Sequence, residues 1–218
     1  MVSETFGAGA RSEATAGERQ DLCGGGDRGS LRGECRRAFT EFFRRAGFAG
    51  RMPRVVACGS RGDAFDDFRT AVRNSAADQF IMLLVDSEEG VAASDEPWQH
   101  VSKRDGWTRP AGAAKDSLCL MVQCMEAWFV ADRDCLKAYY GYGFNPRKLP
   151  RRPEVERIPK ADLYAALDRA TRNCTKGTYG KSKGQHSFSI LATVDPGRVA
   201  AASPHARRLL GTLREAVA

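Results

Sequence analysis

No apolar run in the 218-residue chain approaches the roughly 20 residues of a membrane span, and the N-terminus lacks the basic-then-apolar order of a signal peptide. The expected compartment is therefore the cytoplasm, with no membrane partner. Metal-finger spacing is lacking too: the seven cysteines include no C-x-x-C pair, and Cys119 and Cys124 lie five apart inside an apolar run. An odd set of cysteines without an export signal argues for free thiols acting as small core residues. There is no G-x-S-x-G elbow, and His100, His186 and His205 are not spaced as metal pairs. "GTYGKS" (177–182) suggests a phosphate loop, but Thr175 stands where a Walker A glycine is needed and no strand precedes it. A phosphatase of the D-x-D-x-T type would carry its aspartates on the first strand, and the acidic pair here comes later.

What is present is a globular composition, 42% hydrophobic and 28% charged, with length for one substantial core. The net charge of +7 is unevenly spread. From Lys137 to Ala218 there are 16 Lys/Arg against 6 Asp/Glu, so the last third carries +10 and the rest −3. Such asymmetry suggests a basic face for a polyanion beside an acidic site; a merely solvated basic surface would look the same.

Residues 1–22 are rich in small and polar residues without apolar periodicity, and read as a tail, not a strand. "CGGGDRGS" reads as a glycine loop. The following segment places Leu31, Cys35, Ala38, Phe39, Phe42 and Ala46 on one helical stripe, with Ser30 able to cap its start and Gly47 its end. "RVVACG" (54–59) reads as a strand, 62–74 as a helix, and "FIMLLV" (80–85) as a strand apolar on both faces, as central parallel strands are. Strand–helix–strand order argues for a parallel α/β sheet. Residues 86–117 look irregular, 118–141 begin as a strand and become helical near Met125, and the proline-broken basic stretch from Asn145 to Lys160 reads as a connector. A helix, the basic glycine loop "CTKGTYGKSKGQHS" and further helices finish the chain. The expected division is an atypical tail over 1–22, an α/β core over 23–135 and a basic helical region over 136–218 packed on it.

"FIMLLVDSEEG" (80–90) carries the chemistry. Carboxylates at the C-terminal edge of a parallel strand sit where α/β folds bind ligands. Asp86 and Glu88, two apart, face one way if strand geometry persists, and can together hold a hard divalent cation. Glu126 lies among Met, Trp, Phe and Val, where an unpaired charge is costly, so it either reaches the same site or pairs with a nearby arginine. Trp128 and Phe129 read as core. Lys176, Lys181, Lys183 and His186 share one loop suited to phosphate contacts or to neutralising charge in phosphoryl transfer.

The order of glycine loop with acid, helix, strand, helix and apolar strand ending in D-x-E resembles the Toprim fold of primases, topoisomerases and related nucleases. More closely, the blocks "GRMPRVVACG", "LLVDSE", "PWQH", "RDGW" and "LMVQCMEAWFVAD" resemble the bacterial domain-of-unknown-function family 4276, from about Cys23 to near the C-terminus. The resemblance implies a Mg2+-dependent (or Mn2+-dependent) nuclease with a Toprim-like sheet, metal ligands from Asp86 and Glu88, and Asp27 and Glu126 as further ligand candidates. By the same resemblance Glu34 and Lys181 join Asp86 and Glu88 as catalytic candidates, while Lys176, Lys181, Lys183, Arg151 and Arg152 contact nucleic acid. It also suggests an ABC-type ATPase partner and a role in anti-phage defence, by analogy of fold. One element departs from the pattern: Cys23 stands where the first-strand glutamate is expected. Three alternatives follow. The site is degenerate, the N-terminus reflects a wrong start or frame, or Asp27 or Glu34 substitutes at the start of the helix. A non-catalytic adaptor that binds an ATPase or nucleic acid is the rival to the nuclease.

Overall fold

The computed structural model describes residues 4–8, 26–76 and 79–218, with side chains described from 31 onward except at 181–183 and 185. Its centre is a four-stranded sheet of order β2-β1-β3-β4, formed by β1 (Glu4–Ala8), β2 (Arg54–Ala57), β3 (Phe80–Asp86) and β4 (Leu118–Met121). Strands β3 and β4 pair in parallel, with Leu84 opposite Cys119 and Asp86 opposite Met121. Strand β1 pairs antiparallel with both β2 and β3.

Two expectations change here. The sheet is mixed, not wholly parallel. An apolar run buried on both faces reports that a strand is central, and it says nothing about the direction of its neighbour; β3 meets that condition with an antiparallel strand beside it. The stretch read as a tail contains strand β1. "ETFGA" has too little apolar alternation to announce itself, and its place between two strands satisfies its backbone groups instead. Cys23 lies outside the described residues.

The sheet is covered on both faces. Alternate β3 residues split between them: Met82 and Leu84 enter one core, Leu83 and Val85 the other. The second, smaller core is closed by α2 (Arg61–Asn74) through Phe65 and Phe68, and by α3 (Pro97–Asp105) through Val101. Helix α2 begins with a reciprocal cap, Asp63 N–H donating to Ser60 Oγ (3.2 Å) and Ser60 N–H to Asp63 Oδ2 (2.6 Å). Helix α3 falls within the stretch expected to be irregular. Pro97 opens it, Glu96 and Gln99 cap it, and Gly106 (φ 72) closes it in the left-handed conformation.

The larger core is built by α1 (Gly26–Phe43), α4 (Glu126–Ala131), α5 (Arg133–Tyr140), α6 (Lys160–Thr171), α7 (Lys183–Leu191), α8 (Pro196–Ala202) and α9 (Pro204–Ala216). Helix α1 starts four residues before Ser30, so Asp27 belongs to its first turn; the expected stripe is real, with Cys35, Ala38, Phe39 and Phe42 buried. Gly47 takes φ 96 where the helix unwinds. Half of the expected glycine loop near 180 is helical, because α7 begins at Lys183. At the centre Trp128 stacks on Phe42 (5.1 Å between ring centres, 19°) and meets Phe39 edge-on. The six described cysteines are free thiols. Burial pushes Cys119 up to about 12, in keeping with core residues rather than nucleophiles.

Trp128 is fully buried and its Nε1 has no acceptor. Trp128→Ala is expected to cost about 3–5 kcal/mol in urea unfolding. Trp128→Phe removes the orphaned donor along with part of the ring, and should cost less than half of that.

Candidate functional site

Strand β3 delivers Asp86 to its C-terminal edge, and the chain then leaves strand geometry. Ser87 N–H donates to Met121 O (3.0 Å) and Glu88 N–H to Gln123 O (2.8 Å), holding this turn against the exit of β4. Glu88 adopts φ 69, unusual for a residue other than glycine. The assumption that Asp86 and Glu88 face one way through persisting strand geometry therefore fails. The two acids are nevertheless brought to a common neighbour.

That neighbour is Lys160, the first residue of α6. Its ammonium pairs with Glu88 Oε2, both side chains being largely buried. Burial alone would lower the Lys160 pKa; the hydrogen bond to Glu88 and the charges of Asp86 and Glu88 outweigh it and raise the value. Asp86 Oδ1 accepts from Met125 N–H at 3.1 Å, just ahead of α4. Gln123 Oε1 accepts the Lys160 N–H (2.8 Å), so β4 also caps the helix that carries the lysine. Glu88 Oε1 is buried without a hydrogen-bond partner.

Glu126 is 1% exposed in the first turn of α4, where a carboxylate is favoured by the helix dipole. It accepts a hydrogen bond from Tyr179 Oη at 2.6 Å, and Tyr179 Oη in turn meets Ser187 Oγ at 2.8 Å. Burial, then the charges of Glu126 and Asp86, push the Cys124 thiol well above its ordinary range. Tyr164 is raised by burial and then by Glu126, Cys124 and Asp86. Asp86, Glu88 and Lys160 thus meet in one partly buried cluster at the end of β3, and the charges of Asp86 and Glu126 act on the same neighbours, Cys124 and Tyr164.

The other candidates lie elsewhere or outside the described side chains. Glu34 lines a cleft with Arg37, Ala38, Phe188, Ser189 and Ala192. Asp27 has a described backbone in α1, but its side chain and those of Lys181 and Lys183 lie outside the described residues. Arg151 and Arg152 are exposed on the connector between α5 and α6, and Lys176 is exposed with Nζ 4.5 Å from the Tyr139 ring centre. His186 is buried, its Nδ1 2.9 Å from Tyr139 Oη, and burial lowers its pKa. The basic connector adjoins the acids: Gln123 Nε2 donates to Glu156 O (3.4 Å), two residues before Ile158 and Pro159 lead into Lys160. Glu156 itself anchors α9, accepting from Ser203 Oγ and from His205 N–H (2.9 Å) and facing His205 Nδ1 at 2.8 Å.

Sequence reasoning missed Lys160, Gln123 and Tyr179. A signal for Lys160 existed: a lysine directly after "IP" at the start of a helix opposes the helix dipole, and so needs a carboxylate from elsewhere.

The residues fit a small hard cation in one sense. The donors are carboxylate oxygens, one of them is an orphaned buried oxygen, and Mg2+ commonly takes one or two carboxylates and completes its shell with water and substrate phosphates. Among the described residues, no three His, Cys, Asp or Glu side chains are gathered so as to hold a metal ion alone.

The segments around these acids, from β2 through α4 to α6, lie within one family match: the model of the family described as Domain of unknown function (DUF4276) matches residues 24–214. The chain belongs to that family. No curated protein and no solved structure matches this member of DUF4276 significantly. Among its described residues, no helix is long and apolar enough to cross a membrane.

Two outcomes test the pocket. Lys160→Met is expected to destabilise the protein by about 3 kcal/mol near neutral pH, since it strands Glu88 in a largely buried place, and adding Glu88→Gln should restore part of the loss. A raised lysine pKa gives stability that is complete below the unfolded value near 10.4 and fades as pH rises through the folded one, so the wild-type excess should shrink only in strong alkali. Glu156 behaves oppositely: burial raises its pKa, but the hydrogen bonds from His205 and Ser203 outweigh burial and lower it. Its contribution is complete above the ordinary glutamate value and is lost as pH falls through the folded one. Thermal melts should show Glu156→Gln less stable than wild type at pH 7, with the gap narrowing below about pH 4.

Proposed function

We propose that this protein is a Toprim-like, Mg2+-dependent (or Mn2+-dependent) nuclease that cleaves phosphodiester bonds in nucleic acid. The single observation that carries the reading is the gathering of Asp86, Glu88, Glu126 and Lys160 where β3 and β4 end, beside an exposed basic connector. Asp86 and Glu88 are the residues that would hold the cation, which when bound would polarise a phosphoryl oxygen. Lys160 then turns from Glu88 toward substrate and neutralises charge on the phosphate; it takes the part first given to Lys181 or Lys183. Glu126, fixed by Tyr179 and Ser187, keeps the pocket negative and orients its polar groups. Arg147, Lys148, Arg151, Arg152 and Arg157 are exposed and have no carboxylate partner among the described residues, and they supply sequence-independent contacts to backbone phosphates. In this reading the protein acts in the cytoplasm, with nucleic acid and an ABC-type ATPase as partners in anti-phage defence.

One observation favours the rival adaptor reading. Lys160 already neutralises Glu88, which suits a stable structural pair as well as a poised site. Titration calorimetry with Mn2+ and a gel assay on single- and double-stranded DNA and on RNA separate the two. The nuclease requires Mn2+ binding and cleavage by the wild type, both reduced at least tenfold in Asp86→Asn with an unchanged melting temperature. Wild-type protein that binds nucleic acid, takes no Mn2+ and cuts nothing would leave the adaptor standing.

A further inference from the structure

The smaller core carries a second cationic feature away from the acids and from the basic connector. Along α2, Arg61, Phe65, Arg69 and Arg73 recur every four residues and so form one slowly turning stripe, roughly 18 Å long at about 1.5 Å per residue. Its first member is buried and committed. Arg61 Nε donates to the Asp86 carbonyl (3.0 Å), its guanidinium pairs with Asp105 (2.5 Å), and its Cζ lies 4.3 Å from the Trp107 ring centre. Trp107 stacks on Phe65 at 4.3 Å with the rings within 5° of parallel. Gly106 makes this possible by turning the chain sharply at the end of α3.

Phe65, held from behind by Trp107, lines a cleft of about 500 Å³ together with Arg69, Arg73, Thr108, Arg109 and Pro110. Arg69, Arg73 and Arg109 are exposed around it. Their present partners are weak. Arg69 has an exposed ion pair with Asp66 at 3.3 Å, Arg73 bonds to Thr70 Oγ1 at 3.3 Å, and Arg109 to Ala113 O at 3.3 Å. Arg69, Arg73, Arg109 and Thr108 line a space large enough for a nucleotide, and among the described residues the three arginines have only these exposed partners and the Phe65 ring beneath Arg69. Guanidinium forks match phosphate oxygens bidentately, and the neighbouring aromatic wall suits a base.

We propose that the cleft between α2 and the segment following α3 is a phosphate-binding site for a nucleic-acid strand, with Arg69, Arg73 and Arg109 contacting its backbone. The site is independent of any chemistry at the acids. Arg61 ties the start of α2 to the Asp86 carbonyl and so links the cleft's helix to the end of β3.

Fluorescence anisotropy with a labelled dT12 oligonucleotide, run in EDTA so that no metal-dependent step enters, tests it. The variant Arg69→Ala/Arg73→Ala/Arg109→Ala should bind at least tenfold more weakly than wild type. Its log Kd against log salt slope should be shallower by about two, since each single-strand phosphate contact contributes about 0.7. The three side chains are exposed, so an unchanged melting temperature is expected and excludes unfolding as the cause. Competition with free dTMP and with inorganic pyrophosphate tells a strand from a free nucleotide: displacement of dT12 only by other oligonucleotides supports the proposal, and displacement by dTMP at micromolar concentration overturns it in favour of a nucleotide pocket. Affinity and salt slope unchanged in the triple variant also overturn it. An Arg151→Ala/Arg152→Ala variant, measured in parallel, reports on the connector instead and keeps the two surfaces apart.

Discussion

The pairing of Glu88 with Lys160 is the contact on which the candidate site depends. It joins residues 72 positions apart and ties three elements together, the turn after β3, the exit of β4 through Gln123, and the start of α6. Without Lys160, Glu88 in its left-handed conformation would lose its ion-pair partner, and the turn that carries it would rest on its backbone bonds to Met121 and Gln123. Without Glu88, Lys160 would sit unpaired at the positive end of a helix. Each side chain is tolerable only because of the other, and so the pair specifies where α6 docks as much as it stabilises it.

The same pair explains why the pocket invites two functional readings. A cation-binding carboxylate must be deprotonated and within reach of solvent-borne ions, whereas a structural one must be satisfied internally. Glu88 is divided between the two: Oε2 meets Lys160, whereas Oε1 is buried and has no hydrogen-bond partner. A lysine in such a place is the internal competitor for any arriving cation, and it is also the group that would be released toward phosphate if the cation wins. Glu126 adds negative charge nearby: Tyr179 donates to it in the core, and its charge acts with that of Asp86 on Cys124 and Tyr164, whose values are raised first by burial.

What the sequence disclosed follows from how local each feature is. Strand β3 was legible because six consecutive apolar residues cannot be solvated, and α2 because its apolar residues recur at helical spacing. Asp86 was legible as the first charge after a buried strand. Helix α3 was hidden because its start depends on Pro97 and the Glu96–Gln99 cap, set in a segment whose charges and aromatics look irregular. Strand β1 was hidden because its reason to be a strand lies in β2 and β3, not in its own five residues. The partners of the acids were out of reach for the same cause. Lys160 and Tyr179 meet Glu88 and Glu126 across 72 and 53 positions, and only the packing of α6 and α7 brings them there.

Charge shows the same limit in sharper form. Counted by segment, the first two-thirds of the chain is acidic, which hides the arginine-lined cleft altogether. Helix α2 carries Asp63, Asp66 and Asp67 beside Arg61, Arg69 and Arg73, so its sum is zero. At about 100° per residue, however, the arginines fall within one third of the helix circumference and the aspartates on another. A sum along the chain averages over directions that a ligand does not average over: a phosphate at the arginine face meets the near guanidiniums first, with Asp66 at the border of that face beside Arg69 and Asp63 and Asp67 farther round the helix. Net charge by segment is therefore a sound guide to the basic connector, where Arg147, Lys148, Arg151, Arg152 and Arg157 are all exposed. It is a poor guide to an amphipathic helix, where opposite signs are sorted by face.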